Sequence, residues 1–131
     1  MSGNKAVLDS NVIVFFSKRK IDIDSLYLKY DEFFVSIVTF IEVYAYEFEN
    51  NAEKEIIDSF LENVEIVDVD REIADQTIIY RKAKAKRIQL PDAVILSTAK
   101  TLGAELITDN ISDFQGIDSS VAIIGISNLI T

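Results

Sequence analysis

The chain has 131 residues, with 13 Lys and Arg against 22 Asp and Glu, which leaves a formal net charge of −9. Its length suits one domain spanning residues 1–131, and 49% hydrophobic residues with 4 Gly and a single Pro is a globular composition without a flexible linker. Cys and His are both absent, which excludes disulfides, Cys/His zinc sites, thiol nucleophiles and any histidine general base, so catalysis would have to run on carboxylates and oxygen ligands.

Lys5 to Asp9 is a short apolar run ending in a polar turn, the pattern of a buried strand. Ser10-Asn11 then supplies cap chemistry for a helix through Val12, Ile13, Phe15 and Phe16. An amphipathic segment from Ile23 to Tyr30 leads to a second strand at Phe33–Ile37, where β-branched and aromatic residues cluster. Thr39 reads as the cap of a helix carrying Phe40, Glu42, Val43, Tyr44 and Glu47, and Ala52 to Asn63 as a further helix. Val64–Val69 is a third strand, after which Asp70 caps a long helix that runs into the basic stretch Arg81-Lys-Ala-Lys-Ala-Lys-Arg87. Pro91-Asp92 opens the next helix, since proline is tolerated in a first turn, and Gly103 closes it. Ala104–Thr108 and Val121–Ile124 complete the strands.

Strands alternating with helices predict an α/β fold, a three-layer α/β/α arrangement around a central, mostly parallel sheet of about four to five strands. No stretch reaches the roughly 18 apolar residues of a membrane span. The most apolar segment, Phe33 to Tyr46, is broken by Ser36, Thr39 and Glu42, and the N-terminus enters a strand without a basic region and apolar signal core. These features predict a cytoplasmic protein with no membrane partner.

In open α/β sheets ligands gather at the carboxyl ends of the strands. Asp9, Asp109 and Asp113 all fall just beyond such ends, Asp92 sits at the positive end of a helix, and Glu42 lies one turn into a helix otherwise built of apolar residues, where an unneutralised charge is costly. Each Asp taken alone fits a turn or cap, and Glu42 alone fits a solvated helix edge; the joint placement favours a shared pocket. Two unit charges about 4 Å apart repel by about 4 kcal/mol at an effective dielectric near 20, so such acids either take up protons or bind cations. Oxygen-only ligands suit Mg²⁺ or Mn²⁺, and that chemistry is phosphodiester hydrolysis: the cation activates water, a carboxylate orients or deprotonates it, and charge growing on the phosphate is offset.

Four motifs in order, Val7-Leu-Asp9-Ser-Asn11-Val-Ile13, Thr39-Phe-Ile-Glu42-Val, Leu90-Pro-Asp92-Ala-Val-Ile-Leu-Ser-Thr-Ala99 and Leu106-Ile-Thr108-Asp109-Asn110-Ile-Ser-Asp113-Phe114, resemble a PIN-domain ribonuclease, specifically the VapC-type toxin of a toxin–antitoxin pair. The resemblance covers essentially the whole chain. It implies a PIN-like fold and a metal-dependent endoribonuclease in which Asp9, Glu42, Asp92 and an acid of the last turn are the catalytic metal ligands, with Asn11 and Thr108 as supporting polar groups. The family's last acid often stands two residues after the Thr, where this chain has Asn110; Asp113, which matches the Asp-Phe ending, is preferred over Asp109. The resemblance also implies an RNA substrate, a cognate antitoxin protein and a homodimer.

A charge of −9 sits awkwardly with RNA, but Lys18-Arg-Lys20 and Arg81, Lys82, Lys84, Lys86 and Arg87 hold 8 of the 13 basic residues. The second cluster is a candidate RNA contact or simply a solvated helix end. Acidity also suits a basic protein partner. The aromatic residues at 15, 16, 40, 44, 46 and 48 are read as core or dimer surface before base-stacking platforms. Three other classes compete with this reading. A phosphoacceptor receiver domain would use Asp68 or Asp70 after the third strand but needs a Lys after the fifth, absent from Gly125 to Thr131; a noncatalytic PIN-like module would bind RNA or a partner uncut. A haloacid-dehalogenase-type phosphatase needs a second Asp where this chain has Asn11.

Overall fold

The computed structural model describes residues 4–18 and 22–127. Arg19 and Lys20 of the first basic cluster lie outside them. Five strands, β1 (Lys5–Leu8), β2 (Glu32–Ser36), β3 (Glu65–Val67), β4 (Glu105–Thr108) and β5 (Ile123–Gly125), form a sheet in the order β3-β2-β1-β4-β5. Every pairing is parallel, with Val7 opposite Phe34 on one side and Leu106 on the other. The helices are α1 (Ser10–Ser17), α2 (Ile23–Lys29), α3 (Ile37–Ala45), α4 (Asn51–Leu61), α5 (Arg71–Lys82) and α6 (Leu90–Leu102), and Ile111–Asp113 make a short 3-10 turn.

The period of two along each strand sends alternate residues to opposite faces. Ala6, Leu8, Phe33, Val35 and Ile107 enter one core with residues of α1 to α4, including Ile13, Leu26, Val43 and Ile57. Val7, Phe34 and Leu106 enter the other with Tyr80 of α5, Ile95 and Leu96 of α6, and Phe114. Both faces are thus covered, giving the three predicted layers. Phe15, Phe16, Phe40, Tyr44 and Phe48 pack against the first core, in keeping with the core reading of the aromatics.

Several boundaries moved, each for a local reason. Asp9, not Ser10-Asn11, caps α1, its carboxylate accepting from Ser10 N–H. Ser36 at the end of β2 caps α3 by accepting from Val38 N–H at 3.1 Å, so the helix starts before Thr39. Thr39 is instead fully buried, and among the described residues its hydroxyl is without a hydrogen-bond partner. The helix capped by Asp70 stops at Lys82, because Ala83 turns to extended backbone (ψ 132) and Arg81 Nη1 donates across the connection to Ile88 O at 2.7 Å. Gly103 closes α6 at φ 65, the left-handed conformation that glycine adopts without steric cost.

Candidate active site

The chain builds outward from β1 to β3, then returns to place β4 beside β1, so the order reverses between these two central strands. At such a reversal the connections leave in opposite directions and open a crevice at the carboxyl ends. Asp9 follows β1, Thr108 ends β4, and Asp109 and the 3-10 turn follow it, which brings residues about 100 apart in sequence to the carboxyl edge of the sheet.

Asp9 is held by both oxygens. Ser10 N–H donates to Oδ1 at 2.8 Å, and the Thr108 hydroxyl donates to Oδ2 at 2.8 Å. Thr108 is fully buried and itself accepts from Asn110 N–H at 3.0 Å, so its proton is directed at Asp9. Burial raises the Asp9 carboxyl above the usual carboxylate range; the Thr108 and Ser10 bonds work against this, and the charges of Asp109 and Glu42 add to it. Asp92 occupies the third position of α6, half-buried, and among the described residues nothing donates to its carboxylate. Burial, and after it the charges of Asp9, Asp113 and Glu42, push its pKa up to about 6.

Glu42 corrects one part of the sequence argument. It is exposed and carries no desolvation cost of the kind expected from its apolar neighbours, because α3 turns only Thr39 and Val43 fully inward. It nevertheless reaches the crevice: the Ser10 hydroxyl donates to Glu42 Oε1 at 2.6 Å. Ser10 is therefore a site residue that sequence reasoning used only as a cap. The available signal was its position directly after a strand-end acid, with an amide for Asp9 and a hydroxyl for a second carboxylate.

The acids of the last turn divide. Asp109 lies on the Asp9 side, where Asn11 Nδ2 donates to its Oδ2 at 3.3 Å, while Asp113, in the 3-10 turn, adds its charge to Asp92. Of the basic candidates, Lys82, Lys84 and Arg87 are exposed, Arg81 is tied to Ile88 O, and Lys86 Nζ donates to Ser112 O and Gln115 O. Beyond Lys82 the cluster is irregular chain and not a helix end.

Among the described residues, no ion pair neutralises any of the five acids. Nor do three or more of them converge tightly enough to hold an ion in this arrangement. The donor set is oxygen only, its charges repel, and the two best-buried members hold their protons more tightly than free carboxylates. These properties fit a hard divalent cation, with Glu42 and Asp113, both exposed, as the side chains that would rotate inward.

Fold and site together define a doubly wound parallel α/β domain with an acidic crevice between β1 and β4. The model of the PIN domain matches residues 6–119, and the chain belongs to that family. It is similar in structure to a toxin–antitoxin complex from Klebsiella pneumoniae, at 28% identity and a TM-score of 0.73, covering 89% of this chain and 95% of that one. The fold is also that of VapBC2 from Rickettsia felis bound to a DNA fragment from its promoter (23% identity, TM-score 0.78, 92% of this chain and 98% of that one). DNA-bound VapBC from Salmonella typhimurium shares it too (22% identity, TM-score 0.78, 93% and 98%). No curated protein matches the chain. The strand order also differs from the 2-1-3-4-5 order of receiver-type domains. Here Asp68 follows the edge strand β3, about 10 Å from β1 across two strand spacings.

Proposed function

We propose that this protein is a Mg²⁺- or Mn²⁺-dependent endoribonuclease and the toxin of a type II toxin–antitoxin pair. The observation that carries the reading is the crevice itself: Asp9, held by Thr108 and the Ser10 amide, Glu42, held by the Ser10 hydroxyl, and Asp92 come from three separate segments of chain, and among the described residues no ion pair neutralises them; burial and the charges of Asp9, Asp113 and Glu42 accordingly push the Asp92 carboxyl up to about 6. A cation bound there supplies Lewis acidity and offsets the charge that grows on the scissile phosphate.

The protein's own contribution is positioning and proton handling. Asp9, fixed by Thr108 and the Ser10 amide, and Asp92, at the N-terminal turn of α6, present the two best-buried carboxylates, and Glu42 joins them through Ser10. Asp113 beside Asp92, or Asp109 beside Asp9, completes the set. One of these carboxylates orients the attacking water and takes its proton as the water oxygen bonds to phosphorus and the ribose oxygen leaves. Lys82 at the end of α5, and Lys84 and Arg87 in the connection to α6, are exposed and would supply cations for a phosphate backbone.

An antitoxin partner is supported by the net charge of −9, which favours a basic segment, and by the toxin–antitoxin complexes that share this fold. A homodimer and a cytoplasmic location belong to the same reading. No helix among the described residues is long and apolar enough to cross a membrane. The test is a gel assay of the purified protein on single-stranded and structured RNAs with Mg²⁺, Mn²⁺ or chelator, beside Asp92→Asn. Metal-dependent cutting that the variant loses is expected; no cutting under any metal would overturn the nuclease reading and move attention to acetyl phosphate labelling.

A further inference from the structure

Besides Arg81, one other member of the basic cluster is engaged within the protein. Lys86 Nζ donates to Gln115 O at 2.7 Å and to Ser112 O, two carbonyls on either side of Asp113 and Phe114. A compact ammonium with three donors can close both at once. Its stem lies along Gly116, where a methyl group on the Cα would stand 3.7 Å from Lys86 Cδ.

The turn it closes is a slighter support than those of Asp9 and Asp92. Asp9 ends a buried strand and Asp92 sits on a helix of 13 residues, whereas Asp113 is exposed on a 3-10 turn of three residues. Phe114, 1% exposed, pins the inner side of that turn to the core, and the Phe114 and Gln115 amides both return to Ile111 O at 3.0 Å. Lys86 holds the outer side. It does so from the connection that Arg81 and the buried Ile88 tie down and that runs directly into α6 and Asp92. A single side chain thus joins the segment that sets Asp92 to the segment that sets Asp113.

We infer that Lys86 is a positioning residue: by closing on Ser112 O and Gln115 O its ammonium fixes the 111–115 turn, and with it the backbone from which the exposed Asp113 side chain would turn towards Asp92 to share a divalent cation. The inference rests on the reading of the crevice as a cation site, and it gives Lys86 a role other than phosphate contact.

The test compares wild type, Lys86→Met and Lys86→Arg as full-length, ¹⁵N-labelled protein. Hydrogen exchange of the Phe114 and Gln115 amides is measured without metal, and Mn²⁺ titrations read the paramagnetic broadening of the Asp92 and Asp113 amides. Lys86→Met is expected to exchange about tenfold faster at both amides, from loss of bonds to a charged donor. Its Mn²⁺ midpoint should rise about tenfold, the usual cost of losing support behind a ligand, with Lys86→Arg recovering most of both effects. Unchanged exchange would overturn the clamp. Faster exchange with an unchanged Mn²⁺ midpoint would overturn its role in placing Asp113. Broadening absent from the wild type would overturn the inference together with the cation site. A wild type that broadens but does not cut RNA would sink only the nuclease reading, and the midpoint comparison would still decide this one.

Discussion

Asp92→Asn should make the metal-free protein more stable while destroying its activity. Asp92 is pushed from 3.8 to about 6 in the folded protein. Below the unfolded value both states hold the proton; between the two values only the folded state does. Stability therefore falls as pH rises through that window and stays reduced above it. The full shift corresponds to at most about 3 kcal/mol. Because Asp92 is only half-buried, screening reduces this to about 1.5 kcal/mol. Asparagine also gives up the favourable interaction of an anion with the first turn of α6, about 0.5 kcal/mol. The net gain is about 1 kcal/mol, a rise of about 4 °C in Tm at pH 7.5 for a chain of this size. Thermal unfolding in chelator at pH 7.5 and pH 4.5 reads it directly: the gain should be present at the higher pH and shrink at the lower. Mg²⁺ should stabilise the wild type more than the variant. A variant whose Tm at pH 7.5 is equal to or below that of the wild type would refute the claim that Asp92 is held in a repulsive field.

Asp9→Asn removes the charge of the best-held carboxylate with little change of volume, and RNA cleavage should be lost while far-ultraviolet circular dichroism is unchanged; wild-type cutting would discard Asp9 as a ligand. Thr108→Val deletes the hydroxyl that lowers the Asp9 carboxyl, so the acid limb of the cleavage–pH profile should move to higher pH, with about 2 kcal/mol lost in urea unfolding; an unmoved limb would show that Thr108 does not tune Asp9. Ile95→Ala, at a position 0% exposed in α6, should cost about 3 kcal/mol by cavity formation, and a loss below about 1 kcal/mol would contradict the packing described. Gly103→Ala meets no atom within 4 Å but must adopt φ +65, so the expected cost is about 1 kcal/mol of backbone strain, read from the same unfolding curves.

Much of the fold was legible because its signals are local. The apolar runs around Val7, Phe34 and Leu106, the Asp70 cap, Pro91 in a first helical turn and Gly103 at a helix end each state a conformational preference within a few residues, and the alternation of strands and helices implies a parallel sheet. The boundaries that moved were decided by competition the sequence does not rank. Ser36 outcompeted Thr39 as the cap of α3, and Ala83 ended α5 within a run of helix-favouring residues.

The sequence by itself determined which residues carry acid, that no histidine or cysteine could assist them, and that Asp9, Asp92, Asp109 and Asp113 stand where strands end or a helix begins. Tertiary structure alone decided how they are grouped. Placing β4 beside β1 directs the Thr108 proton to Asp9 and adds the Asp109 charge to it, β2 on the other side of β1 lets an exposed Glu42 reach the crevice through Ser10, and Asp113 adds its charge to Asp92. The same packing took Lys86 out of the solvent-facing cluster and fastened it to the turn of Asp113. The physical reason is range: caps and turns are set by neighbours along the chain, whereas electrostatic coupling and side-chain bonding depend on distance in space, which only the order of the strands fixes.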